Sequence, residues 1–481
     1  MLIKRLYDEP LAQAAWLVGC QATGTCLVID PNRDVAGLMA AAAAEGMRIT
    51  HVTETHIHAD FLSGARDLAR ATGARLLLSD CGGPDWRYAY RDEPNVDRLV
   101  DGSTFMVGNL KLEVMHTPGH TPEHVVFILT DTPASDRPVG VFTGDFVFVG
   151  DVGRPDLLEK AAHIVGTMEA GARALYASLQ RFKQLPDYLQ LWPGHGAGSA
   201  CGKALGAVPS STLGYEKMVN WGLRAPTEAA FVAEVLSGQP EPPMYFAEMK
   251  RLNRDGSPSL ASLPVPAALP PFALAEAMAG GATILDIRPG ADFIAHHAPG
   301  ALGIPYSKAF STYAGSVIPF GSTIYLLAES ATHANVARAA RDLAFIGYDH
   351  VVGAFGADAL SALAESGRAL ARVHEVAPAE ALAEAQRGTA TIVDVRTSTE
   401  FAEGHVPGAT LVPLPQLVAR MAEVPKDRPV VLHCQGGTRS LVALSLLEAH
   451  GWTNLRNLPG GMNAWQAAGL PVEAGVPAGV A

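Results

Sequence analysis

Long apolar runs are missing from this 481-residue chain, whose hydrophobic stretches are soon broken by Gly, Pro or charge; no transmembrane helix is expected. Basic tracts are missing too. With 36 Lys and Arg against 48 Asp and Glu, the net charge of −12 argues against nucleic acid and membrane as partners. Cysteine is sparse, at five, with no CxxC pair. An odd, scattered set speaks against a disulfide framework and fits free thiols in a reducing compartment. The first residues reach Lys4, Arg5, Asp8 and Glu9 before an apolar core can build, so no signal peptide is expected and the cytoplasm is the default location. What is present, 48% hydrophobic and 17% charged residues, describes an ordinary globular protein too long for one core, and three domains is the natural expectation.

Proline punctuates the chain between about Ser237 and Pro271, with Pro240, Pro242, Pro243, Pro258, Pro264, Pro266, Pro270 and Pro271. This density reads as a semi-rigid connector over 239–271, with a short docked helix over Tyr245 to Asn253. Before it, 1–238 reads as short strands (Ala15 to Val18, Thr25 to Ile29, Ile49 to Thr53, Leu112 to Met115, Val125 to Leu129, Val139 to Phe142) with helices between them, such as Val35 to Glu45 and Ser63 to Thr72. After it comes an internal repeat. Thr283-Ile284-Leu285-Asp286-Ile287-Arg288 recurs 108 residues later as Thr391-Ile392-Val393-Asp394-Val395-Arg396, and His297 and Pro299-Gly300-Ala301 recur as His405 and Pro407-Gly408-Ala409. Each copy continues into a second apolar strand and a helix, so two parallel-sheet α/β domains are expected, over 272–370 and 372–475.

Chemistry concentrates at strand ends. Thr55-His56-Ile57-His58-Ala59-Asp60-Phe61 follows one strand, Thr117-Pro118-Gly119-His120 another, Thr143-Gly144-Asp145 a third, and Trp192-Pro193-Gly194-His195 a fourth. Turn-fixed His, Asp and His at one sheet edge form a metal-site pattern, a sharper reading than scattered surface histidines. The pattern resembles the HxHxDH motif of the metallo-β-lactamase superfamily and its distant His, Asp and His, through His56, His58, Asp60, His120, Asp145 and His195. The resemblance implies an αββα sandwich. It departs at Phe61, where binuclear hydrolases carry histidine. Phenylalanine has no lone pair, so a stable pair of metals is disfavoured, although a mononuclear hydrolase stays open.

Within that superfamily the chain looks most like the persulfide dioxygenases. That implies one Fe(II) per chain held by His56, His120 and Asp145, with His58, Asp60 and His195 orienting ligands or water. Arg154, in Gly153-Arg154-Pro155-Asp156, is a candidate to pair with a carboxylate or phosphate of a thiol carrier, against a structural arginine. Cys201 is a candidate to line the substrate pocket and accept sulfur, against an inert buried thiol.

Near the other end, Val430-Val431-Leu432-His433 runs into Cys434-Gln435-Gly436-Gly437-Thr438-Arg439 and then a helix. A glycine-rich loop between strand and helix turns backbone N–H groups around one atom, and Arg439 adds charge, so a thiolate, persulfide or oxyanion would be favoured there. The segment resembles a catalytic rhodanese domain, which implies that Cys434 carries sulfur as a persulfide within Gln435, Gly436, Gly437, Thr438 and Arg439. In the first copy the matching loop is Ala328-Glu329-Ser330-Ala331-Thr332-His333, without a thiol and with a negative charge, so that copy is expected to be inactive.

Together these resemblances imply oxygenation of a small-molecule thiol persulfide (of glutathione, coenzyme A or similar) to sulfite and thiol. Dioxygen is the co-substrate, and rhodanese transfer then gives thiosulfate. A thioester hydrolase resembling glyoxalase II is the alternative enzyme, and a persulfide sensor or sulfur-carrier scaffold the non-enzymatic one. Homo-oligomer formation is left open by the sequence.

Overall fold

In a computed structural model of the chain, residues 1–160, 166–199, 201–203, 205–260 and 262–475 are described. They divide into two compact units, Met1–Pro242 with Phe246–Leu263, and Pro243–Tyr245 with the described residues from Pro264 on.

The first unit holds two six-stranded sheets. One runs β1 (Leu2–Asp8), β2 (Gln13–Cys20), β3 (Thr25–Ile29), β4 (Arg48–Thr53), β5 (Arg75–Ser79) and β6 (Val96–Leu99), antiparallel at its first two pairings and parallel thereafter. The other contains β7 (Thr104–Val107), β8 (Leu110–His116), β9 (Val125–Asp131), β10 (Gly140–Gly144), β11 (Gln190–Pro193) and β12 (Ser211–Thr212). Strand β2 is buried along its whole length, because its two faces meet two different cores. Val18, Leu27 and Leu77 pack with Phe127, Phe142 and Trp192 between the sheets, where the Phe142 and Trp192 rings stack at 4.7 Å. On the outer faces, Leu38 and Leu68 come from helices Val35–Ala44 and Ala65–Thr72, and Leu175, Leu179 and Phe182 from helix Thr167–Phe182. Each fully buried side chain of this size contributes about 1.5–3 kcal/mol. The result is an αββα sandwich.

Strands β2, β3, β4, β8, β9 and β10 overlap the expected strands, with ends moved by at most two residues. Strand β1 has no counterpart in the sequence reading, because Lys4 and Arg5 interrupt its apolar alternation. Helix Tyr245–Asp255 forms inside the 239–271 stretch that reads as a connector, and its Asn253 is buried in the first unit.

The second unit contains two parallel sheets. The first, in the order β13-β17-β16-β14-β15, is built from β13 (Ala267–Ala268), β14 (Thr283–Asp286), β15 (Leu302–Gly303), β16 (Ile324–Leu327) and β17 (Val351–Phe355). The second runs β19-β18-β20-β21, from β18 (Thr391–Asp394), β19 (Thr410–Leu411), β20 (Val430–His433) and β21 (Leu455–Asn457). The repeat is also physical. Arg288 folds back on Asp286 (2.6 Å) and His296 O (2.8 Å), and Arg396 does the same on Asp394 (2.7 Å) and Gly404 O (2.7 Å). The His297 ring stacks on Phe293 at 3.9 Å and His405 on Phe401 at 3.7 Å.

Helix Thr438–Ala449 is buried from Ser440 through Leu447, as expected of a helix covered all round. Its far side meets the first copy, where Gly303 N donates to Ser445 Oγ at 3.0 Å and His297 Nε2 lies 3.1 Å from Glu448. Among the described residues no helix is long and apolar enough to cross a membrane.

Candidate metal centre and sulfur-transfer loop

The loop after β4 is pinned from three sides. Asp30, in a left-handed conformation (φ 52°) just after β3, accepts from Thr55 N at 2.6 Å and from Thr55 Oγ1 at 2.9 Å. Glu123 accepts from Ile57 N at 2.8 Å, and Asn253 Nδ2 donates to His58 O and Phe61 O at 2.8 and 2.7 Å. Gly144 (φ +49°) lets β10 pass the same loop, since a Cβ there would stand 2.5 Å from Thr55 Oγ1.

Hydrogen bonds assign the tautomers of the two histidines expected to hold metal. Thr55 Oγ1 spends its proton on Asp30, so at 2.9 Å it accepts from His56 Nδ1–H and leaves His56 Nε2 bare. The Arg154 carbonyl can only accept, so His120 Nδ1–H donates to it at 3.0 Å and Nε2 is again bare. His56 Nε2 and His120 Nε2 lie 3.9 and 3.6 Å from Asp145 Oδ2, and all three ligand atoms fall within 4.8 Å of one another. All three residues are buried, and neither His56 Nε2 nor Asp145 Oδ2 has a hydrogen-bond partner. Bare buried lone pairs facing one another cost free energy unless a cation joins them, so two imidazoles and a carboxylate fit one metal ion. Burial lowers the pKa of both histidines and keeps them neutral, as ligation requires.

The remaining predicted residues surround this trio. His195 lies between two carboxylates, with Nδ1 2.7 Å from Asp145 Oδ1 and Nε2 2.8 Å from Asp60 Oδ2. Burial opposes its charge, but those carboxylates hold its pKa well above the ordinary value. His58 meets Asp30 at 3.2 Å; burial again opposes the charge, and Asp30, with Glu54 and Asp60, lifts its pKa to about 9. Phe61 is fully buried, its ring 4.4 Å from that of His58.

Cys201 Sγ falls within 4.8 Å of ligand atoms of Asp60 and His195, and burial, reinforced by Asp60 and Asp145, pushes its thiol well up. Arg154 is fully buried, its guanidinium engaged with both oxygens of Asp156 (2.8 and 2.7 Å) and with Pro240 O at 2.7 Å. It therefore meets the site through its backbone carbonyl, which orients His120, rather than through a charge offered to substrate.

His124 was not singled out by sequence. Its Nε2 accepts from Asp145 N at 3.2 Å, and its ring stacks on His56 at 5.0 Å. The only available signal was its spacing of four from His120, inside a strand approach rather than at a strand end.

In the second unit, Cys434 directly follows β20. Its Sγ accepts from Gly437 N at 3.1 Å and lies 3.8 Å from Ser440 Oγ. Gly461 (φ +55°) passes behind it, where a Cβ would stand 2.2 Å from Cys434 O. Gln435 accepts from Arg396 Nη1 at 3.1 Å and donates to Asn463 at 2.6 Å, while Gly436 and Thr438 are exposed. Arg439, expected to face an anion, gives two N–H groups to Glu400, both at 2.6 Å. Burial would raise the Glu400 pKa, but Arg439 and the Thr397 amide outweigh it and bring it to about 2.

Tyr313, on helix Phe310–Val317 of the first copy, lies within electrostatic reach of Arg439, Cys434 and Glu400. No repeat motif marks it in the sequence. In the first copy's own loop, Ala328 is buried where the thiol would be, and His333 caps the next helix, its Nδ1 accepting from Asn335 N at 3.2 Å.

Comparisons with known proteins cover both parts. A model described as the metallo-beta-lactamase superfamily matches residues 8–195, and one described as a rhodanese-like domain matches 377–468. The hydroxyacylglutathione hydrolase of Rhodopseudomonas palustris (strain BisA53) is 30% identical over 251 residues, 51% of this chain and 85% of that protein. That of Rhodospirillum rubrum is 31% identical over 181 residues, 37% of this chain, and the match spans only 60% of its own length. A solved metallo-beta-lactamase from Staphylococcus aureus subsp. aureus COL is 40% identical over 74% of this chain and 98% of that one, with a TM-score of 0.66.

Proposed function

Because the chain belongs to the metallo-beta-lactamase superfamily, we propose that its first unit is a mononuclear iron persulfide dioxygenase and its last domain a rhodanese sulfurtransferase acting on the same sulfur. The observation that carries this reading is the trio His56, His120 and Asp145, two imidazoles held in the ligating tautomer against one carboxylate, beside a second buried group, Asp60, His195 and Cys201, to which Phe61 offers no donor, in one chain with the Cys434 loop. Iron(II) held by that trio would supply redox chemistry that zinc lacks. The overall change balances as RSSH + O2 + H2O → RSH + HSO3⁻ + H⁺, the outer sulfur being oxidised and dioxygen reduced.

The protein's own groups do the positioning. Thr55 and the Arg154 carbonyl hold the two imidazoles in the ligating tautomer, and His195 keeps Asp145 ionised and turned. In the second unit, the Cys434 thiolate attacks the outer sulfur of a persulfide. The carrier's S–S bond breaks, and the carrier leaves as thiol. Gly437 N–H and the helix N-terminus stabilise the anionic sulfur left on Cys434. Sulfite then takes the terminal sulfur as thiosulfate, returning the Cys434 thiolate. The free cysteines suit a reducing compartment, and we place the reaction in the cytoplasm.

A thioester hydrolase is the second reading, favoured by the names of the relatives at 30 and 31% identity. Anaerobic purification with metal analysis, followed by oxygen uptake on a panel of persulfides and hydrolysis of a glutathione thioester, separates the two. Zinc content with thioester turnover and no oxygen uptake would overturn the dioxygenase.

A further inference from the structure

Arg5 sits where strand β1 should be apolar. Alternation along Leu2–Asp8 sends Ile3 and Tyr7 toward the core between the sheets and Leu2 and Leu6 toward the outer helices, and Arg5 shares the register of Ile3 and Tyr7. Its guanidinium lies 3.8 Å from the centre of the Tyr7 ring. Its Nε is buried with no hydrogen-bond partner. Among the described residues no carboxylate stands within ion-pair distance of it; a hydrogen bond with Tyr7 and, at longer range, Glu9 are what favour its charge. Stacking on a phenol offsets only part of the cost of withdrawing a cation from water.

These two side chains lie against the backbone that follows His195. A methyl built on Gly196 would stand 2.9 Å from Tyr7 Oη and 3.2 Å from Arg5 Nη2, and Gly196 directly follows His195. The backbone between them is held, since Gly196 N donates to Ala12 O at 3.0 Å and Ala14 N to Gly194 O at 2.8 Å. A planar cation with an unpaired Nε and a phenol hydroxyl thus converge one residue beyond His195, where the absence of a side chain lets them stand close against the backbone.

We propose that Arg5 and Tyr7 bind the anionic end of the thiol that carries the sulfur, a carboxylate or a phosphate, while its sulfur reaches the His56, His120 and Asp145 centre. This rests on the persulfide reading above. The guanidinium matches either oxyanion with two parallel N–H groups, and the Tyr7 hydroxyl supplies a third donor.

The test uses full-length iron-loaded protein. Anaerobic calorimetric titration with reduced glutathione and reduced coenzyme A reads binding without turnover. Arg5→Gln should weaken the thiol that binds by about tenfold or more, Tyr7→Phe by less, and Arg5→Lys should restore part of the loss. Weakened glutathione identifies a carboxylate as the ligand group, and weakened coenzyme A a phosphate. In steady state, the KM for the persulfide of that thiol, divided by the KM for uncharged hydroxyethyl persulfide, should rise by a similar factor in Arg5→Gln.

Equal thiol affinity and an equal KM ratio in wild type and Arg5→Gln would overturn the site while leaving the dioxygenase reading intact. In that case Arg5 serves only as an inward charge that guards an edge strand from pairing with another chain. No oxygen uptake with any persulfide would instead bring down the reading on which the site stands.

Discussion

Replacing His120 by alanine removes one of three bare donors and one internal hydrogen bond, and the two losses can be read separately. The ring is buried, and its Nδ1–H is the partner of Arg154 O at 3.0 Å. Stranding that carbonyl costs about 1–3 kcal/mol in the metal-free protein. The metal term is larger. Changing a group that merely supports a ligand typically costs 10- to 100-fold in affinity, so losing the ligand itself should exceed ~100-fold. At saturating metal that removes about 2.7 kcal/mol of metal-linked stability. The assay is anaerobic loading with Fe(II), elemental analysis, oxygen uptake with a persulfide, and melting with and without metal. His120→Ala should lose iron, oxygen uptake and the metal-dependent rise in melting temperature. His116→Ala serves as the control, because His116 contacts Pro122 O at 2.8 Å and stands outside the trio, and it should retain iron. A His120→Ala protein with a full complement of iron and full uptake would refute the ligand assignment.

Cys434→Ser leaves the metal centre untouched, so persulfide-dependent oxygen uptake should persist while product shifts from thiosulfate to sulfite. Undiminished enzymatic thiosulfate, corrected for the spontaneous reaction, would remove Cys434 from the pathway. Ala328→Cys in a Cys434→Ser background should show no sulfur transfer, because Glu329 beside the new thiol opposes its ionisation and His333 is turned to cap a helix; measurable cyanide-to-thiocyanate conversion would contradict this. Glu400 has a folded pKa of about 2, below the ordinary ~4.3 of an unfolded chain. Its pairing with Arg439 therefore contributes stability above about pH 4.3 that is lost as pH falls toward 2, roughly 2–3 kcal/mol after allowing for partial exposure. Glu400→Gln should flatten that part of the acid-unfolding profile, and an unchanged slope would count against the pair.

Order along the chain was enough for the domain types and for the trio. Strand-end turns are local chemistry: Pro118-Gly119 before His120, Gly144 before Asp145 and Pro193-Gly194 before His195 can be read without any partner. The repeat was equally legible, since the Asp–Arg and Phe–His devices of each copy use residues two and four apart.

Packing decided what depends on distant partners. Arg154 looks available in sequence, and only the fold buries it against Asp156 and Pro240 and makes its carbonyl the useful group. His124 gains its role from the amide of Asp145, and Asn253, in a segment that reads as a connector, holds the loop of His58 and Phe61 from 195 and 192 residues away. Arg5 reads as an ordinary charge near the start of the chain until the sandwich places it beside Tyr7 and Gly196. Periodicity and turn propensity are properties of neighbours in sequence, whereas hydrogen-bond satisfaction is settled by whichever residues the closed fold brings within about 3 Å.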